Sequence, residues 1–515
     1  MLFRCVNKGV RVSDLSSDRS SSAFAARRAD WRNGPVVYQV FVDRFAPPAD
    51  PAAFQSYIQP PRRFRQWHEL PTPGQYDPSV GHYSHEIEFW GGDLAGVAGR
   101  LGYIAGLGAD VLYLTPIQAA FTNHRYDTQD YARVAAEIGG EAGLARLIDQ
   151  THQHGLRIML DGVFNHMGRT AAIFQQALQD PNSLYRNWFF FDKADPTAYR
   201  GWAGAGNLPA LRLEDPLVRA ALWGRDEAIV ERYLRAGIDG WRLDVAFELG
   251  PLFLAELTEA AHRVAPGSAV VGEIPGYPAD WFPAVDGVFN TAAPSLMLAM
   301  LNGTVAGGRA GRMLGHMVED AGIAPLLRSW LVVDNHDTPR QTHFVPDASR
   351  RRLLQALQFT LPGAPVVYYG SELGMAGAGD PQNRAPMRWD LAHDANPDLA
   401  WHRQLITLRR AHPALRYGDC RALETEQLLA FARTTDKIAE TVIVVINPTD
   451  MPQTEVFATR IGRLMSWGAL QDLLSEERVR SVNGLMHLMV PPRTIRIFTP
   501  VVTPKHGYSA YDRIP

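Results

Sequence analysis

GWRLDV, residues 240–245, is the stretch whose reading decides the fold. As a strand it places Trp241 and Leu243 on one face and Arg242 and Asp244 on the other, because successive side chains alternate. Seven further short β-type runs occur in the chain: VVYQVF at 36–41, DVLYLTP at 110–116, LRIMLDGVF at 156–164, AVVGEI at 269–274, GVFN at 287–290, SWLVVDNHD at 329–337 and PVVYYGSE at 365–372. Longer amphipathic stretches, such as 141–154 and 251–264, separate them. Eight buried strands alternating with helices fit a closed parallel (β/α)8 barrel better than the competing doubly wound open sheet.

Two connections exceed ordinary loop length: 46–88, rich in Pro and aromatics, and 167–225, between the third and fourth strands. Long loops are usually functional or fold as small subdomains, and both leave the C-terminal face, where barrel enzymes build their sites. Each is read as a wall of a substrate cleft. Within the first, Phe54, Tyr57, Trp67, Tyr76 and Tyr83 read either as platforms for sugar rings or as the loop's own packing. After about residue 417 the pattern changes to LLAFAR at 428–433, TVIVVINP at 441–448 and TIRIFTP at 494–500, with turns between. That is the signature of an antiparallel β-sandwich. The expected order is a leader at 1–30 without fixed structure, a barrel at 31–416 carrying an inserted domain at 167–225, and a terminal sandwich at 417–515.

Composition narrows the partners. The 515 residues carry 51 Lys plus Arg against 54 Asp plus Glu, a net charge of −3. No broad positive field exists to hold nucleic acid or an anionic membrane. Two cysteines, Cys5 and Cys420, cannot form a disulfide framework, and a reduced compartment is permitted. The Ser-rich leader lacks the apolar core of a secretory signal. No uncharged run approaches the roughly 18 residues that span a bilayer. A cytoplasmic protein is expected.

Polar residues gather at the C-terminal ends of the strands. Arg242 beside Asp244 favours the ionised acid, the state a nucleophile needs near neutral pH; the same pair also reads as a satisfied ion pair closing a strand. One strand on, Glu273 lies among Val270, Val271 and Ile274, an apolar setting that would disfavour its charge and suit a proton donor. Alone, a Glu at a strand end is more often a hydrogen-bonding or ion-paired group. The seventh run supplies His336 and Asp337, and the third supplies Asp161, Asn165 and His166. Three carboxylates from different strands, with an Arg and two His, meet the demand of acetal cleavage: protonate the departing oxygen while a nucleophile captures an oxocarbenium-like carbon. Asp244 and Glu273 on adjacent strands are compatible with the roughly 5 Å separation of a retaining mechanism. Asp337 would hold sugar hydroxyls in a distorted ring, with His166 and His336 donating hydrogen bonds. There is no zinc-type Cys/His spacing, no GxxxxGK loop and no GxSxG elbow.

YQVFVDRF at 38–45, DGVFNH at 161–166, GWRLDVA at 240–246, GEI at 272–274 and DNHDTPR at 334–340 stand in the order found in the α-amylase family of glycoside hydrolases, which the chain resembles from about residue 38 to its C-terminus. The resemblance implies a (β/α)8 catalytic barrel, a B domain inserted after the third strand and a C-terminal β-sandwich. It implies Asp244 as nucleophile, Glu273 as acid/base and Asp337 as transition-state stabiliser. His166, Arg242 and His336 would assist at the same sugar, with Asp161 as the arginine's partner. FWGGDLAGV at 89–97, NHRYDTQDY at 123–131, LPALRLEDP at 208–216 and GDPQNRAPMRWD at 379–390 are similar to the neopullulanase, cyclomaltodextrinase and maltogenic amylase group. By that likeness Tyr126 stacks on the sugar at the cleavage point with His124 beside it. The implied substrates are α-glucan oligosaccharides, namely short α-1,4-linked maltodextrins or cyclodextrins, with α-1,6 tolerance and transfer to sugar acceptors. The alternatives are a trehalose- or sucrose-type transferase or isomerase on the same site, and a non-catalytic carbohydrate-binding relative.

The chain departs from that group in places. The group typically carries a large N-terminal β-domain that helps form a dimer; here about 30 residues precede the barrel, so monomer and homodimer both stay open. DRFAPPADP after the first strand is poor in ligands for a hard cation. Asn165, which matches a calcium ligand of many amylases, is the remaining metal candidate, and no cofactor is expected to be required.

Overall fold

The computed structural model describes residues 17–503 apart from 225 and 467, together with 510, 511 and 514. Eight short parallel strands, β1 (Val37–Val40), β2 (Val111–Leu114), β3 (Arg157–Gly162), β4 (Gly240–Leu243), β5 (Ala269–Gly272), β6 (Gly287–Val288), β7 (Trp330–Val332) and β8 (Ala364–Tyr368), pair in the order 6-5-4-3-2-1-8-7. Seven lie within runs picked out in the sequence, and β8 starts one residue before its run at 365–372. Phe289 bridges Trp330 in parallel, and the Asn290 N–H donates to the Trp330 carbonyl at 2.9 Å. The two ends of the sheet therefore meet and the barrel closes. Val37, Val111, Tyr113, Met159, Val271, Trp330 and Val366 pack together in one cluster, and the alternate residues join the helices in a second, larger one. Both faces are buried, which is why these strands read as continuous apolar runs.

The 46–88 loop contains a short helix (Pro51–Tyr57) and a two-residue hairpin pairing Tyr76–Asp77 with His82–Tyr83. Phe54, Ile58, Phe64 and Phe89 form its own small core. Its return is pinned by Asp43, whose carboxylate accepts the N–H groups of Trp90 and Gly91 at 3.0 and 2.9 Å and pairs with Arg44. Glycine is required at 92, because a side-chain carbon there would meet the Val42 carbonyl oxygen at 2.1 Å. The 167–225 segment holds a helix (Ala172–Gln179) and isolated bridges between Phe189 and Leu211 and between Phe191 and Tyr199.

The terminal region forms a six-stranded antiparallel sheet and a hairpin. The strands are β9 (Asp419–Leu423), β10 (Leu429–Thr434), β11 (Val442–Asn447), β12 (Gln453–Ala458), β13 (Ala469–Asp472), β14 (Arg478–Arg480), β15 (Leu485–Val490) and β16 (Thr494–Pro500), with sheet order 9-10-11-16-13-14 and β12 paired to β15. Ile443, Val445 and Phe498 pack on Phe457, Met486 and Leu488 of the hairpin, which makes a sandwich. The other face, including Phe431, Val444 and Ile497, joins the barrel's core.

The leader departs from expectation. Residues 17–29, expected to lack fixed structure, form a helix (Ser17–Ala29). A 13-residue helix is marginal alone, but this one is docked: Ser21 Oγ donates to Asp436 at 3.0 Å and Arg27 to Asp419 at 2.7 Å. Residues 1–16, with Cys5, lie outside the described residues. Cys420 is a buried free thiol. Among the described residues no helix is long and apolar enough to cross a membrane.

Candidate active site

Parallel register sets Arg242 on β4 opposite Asp161 on β3. Its Nη1 donates to the two Asp161 oxygens at 2.7 and 2.8 Å and to Asp244 Oδ1 at 2.9 Å. Nη2 lies 2.7 Å from Glu273 Oε2. The guanidinium is wholly buried, and a buried charge persists only when paired. Burial would lower its pKa; Asp161 and Glu273 more than reverse this, and the net shift is upward.

Three carboxylates share this one cation, and that overturns two expectations. Asp244 is not held as an easily ionised acid. Burial raises its pKa well above the usual carboxylate range, Arg242 opposes the rise, and Glu273, Asp161 and Asp337 add to it. Asp161 is also raised, again chiefly by burial, although Arg242 and the hydroxyls of Tyr113 and Tyr126, at 2.6 and 2.8 Å, oppose this. Nor is Glu273 in an apolar setting. Val270, Val271 and Ile274 pack into the two cores, while the carboxylate faces Arg242 and accepts the Val245 N–H at 3.0 Å. Val245 directs that amide from the left-handed region (φ 37°, ψ 43°), a strained backbone for a β-branched residue.

The β7 end supplies a second group. Gln39 Nε2 donates to His336 Nδ1 at 2.8 Å, which leaves the ring proton on Nε2. That nitrogen is 2.5 Å from the Tyr126 hydroxyl and 3.0 Å from Asp337 Oδ2. Burial, then Arg384 and Arg242, hold the imidazole well below its ordinary pKa and so neutral. The Tyr126 ring runs parallel to that of His336 with centroids 5.3 Å apart. Asp337 is half-exposed and pairs with Arg384 at 3.1 Å. Gln39, Tyr113 and Arg384 were not singled out from sequence. For the first two a signal existed: a polar group in the middle of a buried apolar strand must find a partner.

His124 Nδ1 accepts the Tyr126 N–H at 3.1 Å, and its Nε2 faces Glu86 Oε1 at 3.7 Å. Burial would raise the Glu86 pKa, but His124 and His82 more than offset it and hold it below the usual range. His166 packs on Trp202 with centroids 5.4 Å apart, and burial lowers its pKa to about 3. Among the described residues no group satisfies its ring nitrogens in good geometry, the Tyr126 backbone being only a weak partner. This leaves two polar atoms for a ligand.

Asn165 turns elsewhere. Its Nδ2 donates to Glu248 Oε2 at 2.9 Å, and the Trp202 indole donates to the other Glu248 oxygen at 3.1 Å. One amide committed to one carboxylate does not fit calcium, which takes six to eight oxygens, and among the described residues no group of three or more His, Cys, Asp or Glu is placed to hold a metal. A cavity of about 640 Å³ is lined by Asn165, Trp202, Glu214, Glu248 and Phe253 among others, and its lining does not include Asp244, Glu273 or Asp337. Its size is within the range of small-molecule sites.

Residues 39–265 and 323–404 match the family model described as the alpha amylase catalytic domain. Neopullulanase 2 of Thermoactinomyces vulgaris is 32% identical, the match spanning 90% of this chain and 77% of the relative. A cyclomaltodextrinase of Geobacillus thermopakistaniensis is 33% identical over 90% of this chain and 76% of its own. Among solved structures, the cyclic α-maltosyl-(1→6)-maltose hydrolase of Arthrobacter globiformis superposes with a TM-score of 0.74 at 29% identity, covering 90% of this chain and 99% of that one. With its closed barrel, its strand-end acids and these matches, the chain belongs to the α-amylase family of glycoside hydrolases.

Proposed function

We propose that the protein is a retaining hydrolase of short α-glucans, cleaving α-1,4 bonds of maltodextrins and cyclodextrins, accepting α-1,6 bonds as in pullulan, and transferring glycosyl units to sugar acceptors. The observation that carries the reading is the single guanidinium shared by Asp244 and Glu273. Neither carboxylate is farther from the other than the width of that group and two ion-pair contacts, which suits capture of one anomeric carbon between them. Burial and the crowding of carboxylates around one cation raise the pKa values of Asp244 and Asp161, so the cluster holds a proton more firmly than free carboxylates do, a property of the set rather than of one residue. An acid/base reaction needs that proton.

In the first step Glu273 gives its proton to the departing glycosidic oxygen as the C–O bond breaks, and Asp244 Oδ forms a bond to the anomeric carbon. Arg242 then neutralises what remains of the cluster's charge. Asp337, His336 and His166 hold sugar hydroxyls, and Tyr126 flanks the ring. In the second step Glu273 takes a proton from water, whose oxygen displaces Asp244 and restores the original anomeric configuration. A sugar hydroxyl in place of water gives transfer. No step passes through a metal. Support for linkage and substrate comes from the relatives' names: neopullulanase, cyclomaltodextrinase and a hydrolase of a cyclic maltosyl-maltose with a 1→6 link. Cytoplasmic residence belongs to the same proposal and is supported by the free thiol of Cys420.

Replacing Asp244 by Asn tests the reading. Release of reducing sugar from maltotriose and cyclodextrin should fall about 10⁴-fold, and early products of the native enzyme should be α-anomers. Undiminished activity in Asp244→Asn would exclude the assigned nucleophile.

A further inference from the structure

Of the aromatic residues of the 46–88 loop, Phe54, Phe64 and Trp67 pack inward, whereas Tyr57, which ends the short helix, and Tyr76 and Tyr83 stay about half exposed. Phe54 is buried with Phe64 and Phe89 in the loop's own core, and the Trp67 indole donates to the Met387 carbonyl at 3.3 Å. Tyr76 and Tyr83 do neither. They sit opposite one another in the small hairpin, ring centroids 5.4 Å apart, and remain 54% and 47% exposed. The two rings pack on each other at their edges and lie outside the loop's small core.

Their place is held firmly. The Tyr83 N–H donates to Glu86 at 2.7 Å and the Ser84 N–H to the Gln75 carbonyl at 2.9 Å. Asn207 of the inserted segment lies 3.1 Å from His82 Nδ1. A line of polar groups joins the hairpin to the catalytic end. Asp337 pairs with Arg384 at 3.1 Å and Arg384 with Asp380 at 3.1 Å. Asp380 faces His85 Nε2 at 3.7 Å, and the His85 ring lies 5.6 Å from that of Tyr83. The Gly74 N–H donates to His85 Nδ1 at 3.0 Å, so the ring proton is on the nitrogen that faces Asp380. This line runs from the loop after β7, two strands from Glu273 on β5, through the loop after β8 to the loop after β1, which lies opposite β5 in the closed barrel, and so leads away from Glu273. It therefore runs toward the glycosyl side of the broken bond and away from the leaving group.

We propose that Tyr76 and Tyr83 form a distal platform for the non-reducing end of a longer α-glucan, reached along Arg384, Asp380 and His85. The proposal rests on the hydrolase reading above. Two flat, exposed phenol faces suit the C–H faces of glucosyl rings, and their hydroxyls suit the rims. The platform lies beyond the sugars next to the cleaved bond, so it acts on chain length and leaves the chemistry alone.

Initial rates on maltotriose and maltoheptaose test this. The native enzyme should show a higher kcat/KM on the longer sugar. The double variant Tyr76→Ala/Tyr83→Ala should lose about tenfold in kcat/KM on maltoheptaose, mainly through KM, and less than twofold on maltotriose. Tyr83→Phe, which keeps the face, should retain most of the gain, while Tyr76→Leu, which keeps bulk without a flat ring, should lose part of it. No chain-length gain in the native enzyme, or an equal loss on both sugars, overturns the platform. Failure of the hydrolase reading would appear separately, as native activity surviving in Asp244→Asn.

Discussion

Both ends of the barrel carry acids, and they use them in opposite ways. At the N-terminal end Asp110, Asp239 and Asp286 precede β2, β4 and β6, and each accepts a backbone N–H from the start of the strand before: Val36 at 2.8 Å, Ile158 at 2.9 Å and Val270 at 2.9 Å. Their remaining capacity goes to cations at the rim, Arg157 and His152 on Asp239 and Arg32 and His262 on Asp286. At the C-terminal end Asp161, Asp244 and Glu273 crowd one arginine, and only Glu273 has a backbone donor from a neighbouring strand end. The same functional group stabilises where its partners are complete and stays reactive where they are too few. This division between a stabilising and a chemical face is general to such barrels.

The comparison can be broken at either end. Removing the shared cation has the largest effect. In Arg242→Met the three carboxylates lose the guanidinium they share, the cluster's hold on protons tightens, and the ionised nucleophile is lost. We expect kcat on maltotriose to fall about 10³-fold; a fall of less than tenfold would show that the C-terminal cluster does not depend on charge sharing. The matching change at the other end is Asp239→Ala. It leaves the Ile158 N–H and Arg157 without their acceptor and should cost about 2 to 3 kcal/mol in denaturant unfolding. The rate per folded molecule should stay within twofold. A variant that is stable but slow would reverse the assignment of the two ends.

How much of this was legible in the sequence follows from where each partner comes from. Strands were legible because apolar runs bounded by Gly, Pro and Asp mark buried parallel strands. The Arg242 and Asp244 pair was legible because alternation within one strand suffices to align them. The apolar setting read for Glu273 failed because its sequence neighbours Val271 and Ile274 pack in the cores, while its true neighbour, Arg242, belongs to the adjacent strand and makes the ion pair that was the other reading of this Glu. The upward pKa shift of Asp244 was missed for a related reason: burial depth and the count of nearby carboxylates exist only after folding. The leader helix depends on Asp419 and Asp436, about 400 residues away in the chain. The acids of the N-terminal end did carry a signal, since ADV at 109–111, IDG at 238–240 and VDG at 285–287 each place Asp just before a strand.

The finest test lies in the titration of His262. Its Nε2 is 2.9 Å from Asp286, and that hydrogen bond raises its pKa above the ordinary value, with burial opposing. A histidine whose folded pKa exceeds its unfolded value, about 6.5, stabilises the fold fully below the unfolded pKa. It loses that contribution as pH rises through the folded one. The side chain is 34% exposed, and Asp286 keeps the Val270 N–H and Arg32 at 3.2 Å in any case. Solvent screening therefore holds the effect well under ~1 kcal/mol. In thermal melts the native protein should exceed His262→Gln by about one degree at about pH 6, the gap closing by about pH 8.5, with kcat equal at both. Because the pair is satisfied at its other contacts, its loss should not reach the catalytic end. A gap that widened with rising pH, or a change in kcat, would mean that the two ends of the barrel are electrostatically coupled and that their contrast is one of degree.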